Sequence, residues 1–185
     1  MLSFDAMEKS VNTNGELIAQ NENMINFTNS ALTKFLIQLT SAVEQSDERI
    51  IGSYFHVLND LERIGDHAEN FYEIAAEMSG KKIGFSENGL EDIRIMREKV
   101  MSMFYLSKEA FDNLDESKLN ELSTLEDSMD SMKKKFIANH FSRLAEGKCS
   151  VAVSPYYSSA ISGLERVADH LVNVGYSIVS PIGEQ

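Results

Sequence analysis

Two copies of an acidic motif stand out in the sequence, DLERIGDH at residues 60–67 and GLERVADH at residues 163–170, with an offset of 103. Each copy places a glutamate four residues before an aspartate and a histidine directly after that aspartate. In an α-helix four residues advance the side-chain direction by roughly 400°, so both acids project from one face about one turn apart. The two negative charges of such a pair repel each other. Because a multivalent cation between them would attract both, the motif indicates a metal site. The two acid pairs are Glu62 with Asp66 and Glu165 with Asp169.

A second repeat lies upstream of each motif, at residues 20–26 and 124–130, with an offset of 104. It aligns Glu22 with Glu126 and Asn26 with Asp130. If the helices that carry these residues are antiparallel neighbours, each half of the chain brings three or four oxygen ligands onto facing helices. Such ligands suit a hard or borderline cation. The sequence therefore predicts one metal site in each half, with four acids in the second and three acids plus an asparagine in the first.

The elements that must position these acids are helices. Apolar residues recur at intervals of three and four, and Pro155 and Pro181 are the only prolines, so the chain reads as helical throughout. One predicted helix follows an N-cap region at residues 46–48, ends near residue 78, and has Tyr54 and Leu61 among its core positions. The other predicted helices cover residues 1–13, 16–43, 87–113, 117–146 and 155–179.

These helices predict an all-α fold of two tandem, pseudo-symmetric bundles of three helices each. The first bundle covers residues 1–80, a linker covers 81–86, and the second bundle covers 87–185. Residues 1–13 stand where the second half has the full helix 87–113. The first bundle is therefore expected to have a truncated first helix, as a piece cut from a longer polypeptide would.

Composition excludes several classes of protein. The formal net charge of −12 disfavours nucleic acid as a partner, and a hydrophobic fraction of 43% is enough to fill a core. No basic leader or run of about 18–20 apolar residues is visible, so we expect no direct membrane insertion by this chain. A single cysteine, Cys149, fits a reducing, cytoplasmic location.

Each candidate residue also has a structural interpretation. Glu62 could form surface ion pairs with Arg63, worth about 0–1 kcal/mol, but the duplication of the motif favours metal. For His67 and His170, which lie roughly 100° beyond the aspartates, a structural role or a role behind the metal ligands is preferred over direct ligation. The same supporting role is predicted for Asn26, Asn70 and Asn173. No Glu-x-x-His pair, His-Glu-x-x-His motif or phosphate-binding glycine loop occurs, so an enzyme is not expected.

The first motif, with its continuation Ala68-Glu69-Asn70, resembles the signature of PhoU, the phosphate-transport regulator, and the second motif is similar to it. Residues 126–130, 133–135 and 140–144 resemble the C-terminal PhoU-like domain of sodium-dependent phosphate (Na/Pi) cotransporters, and residues 22–26 fit the same subgroup. The resemblance covers nearly the whole chain. It implies two three-helix bundles related by internal symmetry and a role in phosphate homeostasis.

The resemblance also implies multinuclear iron or zinc clusters on the acidic motifs. Asn26 departs from the acidic pattern of the family. Carried over position by position, the metal ligands are Glu22, Glu62, Asp66, Glu126, Asp130, Glu165 and Asp169.

The leading hypothesis is a regulatory domain in phosphate transport, the cytoplasmic domain of a Na/Pi cotransporter, with metal on its motif helices. Its partner is then a membrane transporter domain or a phosphate-signalling protein, at the cytoplasmic face of the plasma membrane; homo-oligomerisation stays open. The alternative is a metal-free helical adaptor that docks a basic partner through an acidic stripe beside the core positions of one helix, formed by Glu62, Asp66, Glu69 and Glu73. A third hypothesis is a metal-dependent phosphohydrolase with two cations about 3.5–4 Å apart.

Overall fold

A computed structural model describes residues 2–9 and 14–179, and within these residues the chain forms α-helices and no strand. The helices are α1 Leu2–Lys9, α2 Gly15–Thr40, α3 Gln45–Lys81, α4 Glu87–Asn113, α5 Leu119–Ala145 and α6 Ser154–Tyr176. Short 3-10 turns, Glu116–Lys118 and Val151–Val153, lead directly into α5 and α6. The predicted all-α fold is confirmed: α1–α3 form a first three-helix bundle and α4–α6 form a second.

Local chemistry sets the break between the two bundles. After α3 ends, Lys82 adopts a left-handed conformation with φ 53°, and its backbone N–H donates to the carbonyl oxygens of Met78 and Ser79. α4 then begins after Ser86, whose Oγ accepts a hydrogen bond from the Gly89 backbone N–H at 3.2 Å. The helix break therefore falls inside the predicted linker, while the domain limits 1–80 and 87–185 stay a prediction.

Several predicted helix ends differ from the structure. α3 begins at Gln45, so Ser46 lies in its first turn and is not an N-cap. α2 ends at Thr40 and α6 at Tyr176, each three residues before the predicted end. α1 is described as far as Lys9, and the remaining predicted residues, 10–13, lie outside the described residues. Side-chain periodicity continues past a helix end, so it does not locate the final turn.

The two bundles meet where α3 and α6 cross in antiparallel directions. Asp60 of α3 pairs with His170 of α6, and Phe71 of α3 packs on Gly163 of α6. The buried Phe71 ring also packs on the ring of Phe4 in α1, with 4.7 Å between ring centroids. The two helices that carry the acidic motifs are therefore also the helices that join the bundles.

Gly163 of α6 packs directly against the Phe71 ring of α3, so Gly163→Ala is expected to destabilise the protein. An added Cβ would lie 2.8 Å from Cε1 of Phe71, a ring held on all sides. Overpacking of this kind costs about 1–3 kcal/mol, more than the roughly 1 kcal/mol that alanine gains in helix propensity. Gly52→Ala in α3 is the matched control, because nothing lies within 4 Å of its added Cβ and the propensity gain remains. Urea denaturation of both variants measures the difference, and a stabilised Gly163→Ala protein would contradict the packing described here.

The second bundle is closed by α4, which packs against both α5 and α6. The hydroxyl of Tyr157 in α6 donates to Oδ2 of Asp92 in α4 at 2.6 Å, and Nη2 of Arg143 in α5 donates to the same oxygen at 2.8 Å. His140 stacks on the Tyr157 ring with 4.4 Å between centroids. Further along, Ser107 Oγ of α4 donates to the Leu171 carbonyl of α6 at 2.7 Å. These contacts place α4 parallel to α6, and the bundle is filled on all three sides.

The first bundle is open along much of its length, and here the predicted core is wrong. Among the described residues, α2 buries just Ile18 and Leu36 in its 26 residues. Tyr54 and Leu61, predicted as core positions of α3, are exposed. Their exposure has one cause: α1 is eight residues long and covers just the end of the surface that α4 covers in the second bundle. Apolar residues of α2 that follow the predicted stripe are exposed as well: Leu17, Met24, Phe27, Leu32 and Phe35.

Candidate metal centre

The four acids predicted for the second site lie on facing sides of α5 and α6. Glu126 and Asp130 come from α5, and Glu165 and Asp169 come from the antiparallel helix α6. Each helix presents its two acids one turn apart. The negative charges of Glu165, Glu126 and Asp130 all act on Asp169, so the structure brings the predicted set into one electrostatic cluster.

Burial and mutual repulsion shift the pKa values in this cluster. Burial, followed by the charges of Glu165, Glu126 and Asp130, raises the pKa of Asp169 from 3.8 to about 6, although His170 opposes the shift. Burial also raises the pKa of Glu126, with Asp130 as the next cause. The folded protein therefore holds these carboxylates close together although their negative charges repel one another.

Two lysines of α5 already face the cluster. Lys133 Nζ donates to Oε2 of the buried Glu165 at 2.8 Å, and Lys134 Nζ lies 3.6 Å from Oδ2 of Asp130. These two contacts go to Glu165 and Asp130, and the pKa of Asp169 stays raised, by burial first and by the other three carboxylates second. A metal ion bound here would have to displace Lys133 from Glu165.

The chemistry of the four carboxylates fits a cation, but their side chains do not converge. Among the described residues, no three aspartate, glutamate, histidine or cysteine side chains are arranged so that they could hold an ion. Carboxylate oxygens suit hard and borderline ions, and the side chains of Glu126, Asp130, Glu165 and Asp169 would have to rotate inward to bind one.

In the first bundle the predicted ligands divide into two groups. The Asn26 Nδ2–H donates to Oε1 of Glu22, and the charge of Glu22 is one cause of the raised pKa of Glu69, after burial. Glu62 and Asp66 instead face Arg63, whose Nε lies 3.9 Å from Glu62 Oε2 and whose Nη1 lies 3.5 Å from Asp66 Oδ2. These contacts match the interpretation of Glu62 as a member of surface ion pairs. The first bundle therefore has the weaker cluster of carboxylates.

The predicted supporting residues of α6 serve the contact between the bundles. The Nδ1–H of His170 donates to Oδ1 of the buried Asp60 at 2.8 Å, and Nδ2 of Asn173 donates to the same oxygen at 3.4 Å. The rings of His67 and His170 lie 5.9 Å apart. Burial lowers the pKa of His67, and the charge of His170 lowers it further. Asn70 is exposed on α3.

Sequence reasoning gave no role to three residues that the structure brings into these clusters. Lys133 lies 32 positions from Glu165 and Asp60 lies 110 positions from His170, so neither pairing has a local pattern. Glu69 had a signal, because it continues the acidic run from Glu62 and Asp66 one turn further along α3.

The fold and the repeated acid pairs define a class of helical protein with two related three-helix bundles. The PhoU domain model matches residues 1–75 and 93–178, and the chain belongs to the PhoU domain family. It is 25% identical over 179 residues to the "phosphate-specific transport system accessory protein PhoU homolog" of Clostridium acetobutylicum, covering 95% of this chain and 80% of the relative. It is also 25% identical over 179 residues to PhoU homolog 1 of Thermotoga maritima, covering 96% and 76%.

Solved structures agree on the fold. PhoU from Pseudomonas aeruginosa superposes with a TM-score of 0.86 at 21% identity, over 96% of this chain and 85% of that chain. The phosphate transport system regulatory protein PhoU from Streptococcus pneumoniae gives a TM-score of 0.76 at 23% identity, over 96% and 86%. Within the described residues, no helix is both long enough and apolar enough to cross a membrane.

Proposed function

We propose that the chain is a regulatory domain of phosphate transport that acts through contact with a transport or signalling partner and not by catalysis. Membership of the PhoU domain family supports this role, as do the names of the curated relatives, which are accessory proteins of phosphate-specific transport systems. The resemblance of residues 126–130 and 133–135 to the C-terminal domain of Na/Pi cotransporters supports attachment to a membrane transporter at its cytoplasmic face.

We further propose that the second bundle binds metal through Glu126, Asp130, Glu165 and Asp169. The observation that carries this proposal is the placement of two acids one turn apart on each of the facing helices α5 and α6, and the pKa of Asp169, raised by burial first and by the other three carboxylates second, agrees with it. By family resemblance the ion is iron or zinc. A bound ion would neutralise the cluster and hold α5 against α6, while Glu22, Glu62 and Asp66 form the weaker site of the first bundle.

Metal analysis of the purified protein tests this proposal directly. Protein prepared without chelator is expected to contain iron or zinc, and the double variant Glu165→Gln with Asp169→Asn is expected to lose the metal of the second bundle because half of its carboxylates are gone. Inductively coupled plasma mass spectrometry measures metal per chain. The control is Glu121→Gln, which removes an exposed acid of α5 outside the cluster. Equal metal content in the double variant and the unmodified protein would refute the assignment.

The metal-free adaptor remains the second candidate because of one contact. Lys133 already donates to the buried Glu165 at 2.8 Å, so a carboxylate of the repeated motif accepts an ammonium group in the structure. Under this alternative, a lysine-rich partner helix would bind the stripe, salt would weaken that binding, and chelators would leave it unchanged. Under the metal hypothesis, a chelator would instead abolish the binding.

A further inference from the structure

A lysine of α5 lies in line with the two acids that this helix contributes to the candidate metal site. Residues three, four and seven positions apart point within about 60° of one another in an α-helix, so Glu126, Asp130 and Lys133 form one stripe along α5. The ammonium at the end of this stripe contacts α6, where Lys133 Nζ donates to Oε2 of Glu165 at 2.8 Å. A positive charge therefore already lies at one end of the carboxylate cluster.

The contact between Lys133 and Glu165 is enclosed on one side and open on the other. The side chain of Glu165 is 12% exposed, whereas that of Lys133 is 32% exposed. A carboxylate buried to this degree needs a cationic or hydrogen-bonding partner. Lysine, by contrast, is a point charge on a flexible stem of four carbons. The ammonium can therefore leave the cluster for solvent, while the carboxylate stays behind.

The first bundle has a neutral residue at the position of Lys133. The offset of 104 between α2 and α5 pairs Lys133 with Asn29, whose Oδ1 accepts a hydrogen bond from Thr33 Oγ1 within α2 at 3.4 Å. Glu62, the counterpart of Glu165, lies 3.9 Å from Arg63 of its own helix. The first bundle thus forms the same pair of acidic helices with an asparagine at this position, so the repeated fold does not require the lysine.

We propose that Lys133 competes with the metal ion for Glu165: its ammonium group occupies this carboxylate in the metal-free protein and has to leave before the second bundle binds metal through it. The inference rests on the metal site proposed above and adds the residue that sets the affinity of that site. The apparent dissociation constant equals the intrinsic constant divided by the fraction of chains in which Glu165 is free. A contact formed in about nine chains out of ten therefore weakens metal binding about tenfold.

The exchange replaces one cation by another. Without metal, Lys133 ties α5 to α6 through Glu165. With metal, the ion joins the carboxylates of the two helices, and the ammonium of Lys133 faces solvent. The two helices are held together in both states, so the fold is kept, and metal occupancy is set by the free metal concentration acting against a fixed internal competitor.

Zinc titrations of the full chain test this competition. Every protein in the comparison carries Glu62→Gln with Asp66→Asn, which removes two ligands of the weaker site, so that zinc binding by the first bundle is suppressed. In this background, Lys133→Met removes the ammonium and keeps an unbranched side chain. After dialysis against chelator, competition with a chromophoric zinc chelator is expected to show that Lys133→Met binds zinc about tenfold more tightly or better.

Two further variants show whether the effect comes from the contact or from charge alone. Lys135→Met is the matched control, because it removes the same charge at an exposed position of α5 that points about 200° away from Lys133. It is expected to bind zinc within about twofold of the background protein, since solvent and salt screen an exposed charge. Lys133→Arg keeps a cation beside Glu165 and is expected to bind zinc no more tightly than the background protein.

Urea denaturation gives a second measurement that does not depend on the zinc affinity. Without metal, Lys133→Met is expected to unfold at a lower urea concentration than Lys135→Met, because Glu165 is left buried without its cation. With zinc, Lys133→Met is expected to gain more stability than the background protein, because its ion binds without displacing an ammonium group.

The outcomes separate this proposal from the metal site on which it rests. Zinc binding by Lys133→Met that is no tighter than that of the background protein would overturn the competition and leave the metal site standing, as would an equal gain in Lys135→Met. No zinc binding by any variant would overturn both. Zinc binding by Lys133→Met alone would support the competition and refute metal binding by the native chain. Circular dichroism checks folding, and Lys133→Gln takes the place of Lys133→Met if the latter does not fold.

Discussion

Leu164→Ala is expected to lower the free energy of unfolding by about 2–5 kcal/mol, whereas Leu61→Ala at the equivalent position of the first bundle is expected to cost less than about 1 kcal/mol. The two leucines occupy the same place in the acidic motif, directly before the glutamate. Leu164 is completely buried, but Leu61 is 43% exposed. The same leucine-to-alanine substitution is therefore expected to cost more stability at Leu164 than at Leu61, because the cost depends on whether another helix covers the side chain.

The cost at Leu164 has two parts. Removing the buried methyl groups loses their transfer free energy, and the cavity left behind loses contacts because α4, α5 and α6 can relax just partly. At Leu61 the methyl groups already touch water, and no enclosed cavity forms. Because the two positions share helix type and sequence context, differences in helix propensity largely cancel.

Chemical denaturation of both variants gives the comparison. The midpoint in urea should fall strongly for Leu164→Ala and little for Leu61→Ala, with similar slopes of free energy against denaturant in both. Costs of equal size would show that the first bundle is as closed around Leu61 as the second is around Leu164.

The second large effect concerns Asp169: in metal-free protein, Asp169→Asn is expected to stabilise the fold above about pH 6 and to change it little near pH 4. The native pKa of Asp169 is about 6, against 3.8 for an ordinary aspartate. Between these two values the native state binds a proton that the unfolded state does not, so the contribution of Asp169 to stability falls as pH rises from about 4 to about 6. Above that range the ionised carboxylate opposes folding, and asparagine removes this penalty.

Added metal is expected to make the unmodified protein more stable than Asp169→Asn, the reverse of the order expected without metal. A ligand that binds only the native state adds about 2.7 kcal/mol when its concentration is 100 times its dissociation constant. The unmodified protein should gain stability when zinc is added, and Asp169→Asn should lose most of that gain. Asp169 would thus be retained at a cost to the metal-free fold, as expected of a binding residue.

Urea denaturation at pH 4.5 and pH 7.5, with chelator and then with zinc, separates these contributions. Glu121→Gln is again the control, since it removes one acid of α5 outside the cluster. If Asp169→Asn destabilised the metal-free protein at pH 7.5, the carboxylate would be favourably paired, contrary to the burial and the neighbouring negative charges that raise its pKa.

The local features of the sequence predicted the helices well, whereas the metal ligands stay a prediction. The three- and four-residue spacing identified the helical segments, and the bounds of α4 agree with the prediction at both ends. The acid pairs were found because residues four apart share a helix face whatever the tertiary fold. The repeat then placed Glu126 and Asp130 opposite Glu165 and Asp169, since equivalent helices in related bundles pack in equivalent ways.

The packing of the helices against one another decided which side chains are buried and which charged groups pair. The sequence presents Leu61 and Leu164 alike, yet just one is buried, because burial depends on whether another helix covers the position. Lys133 meets Glu165, and Asp60 meets His170, across 32 and 110 residues, distances over which no periodic pattern operates. The sequence by itself determined which residues form the acidic faces of the helices. Only the tertiary structure decided which acids already have a cation beside them and which apolar face remains open, because both depend on contacts between distant parts of the chain.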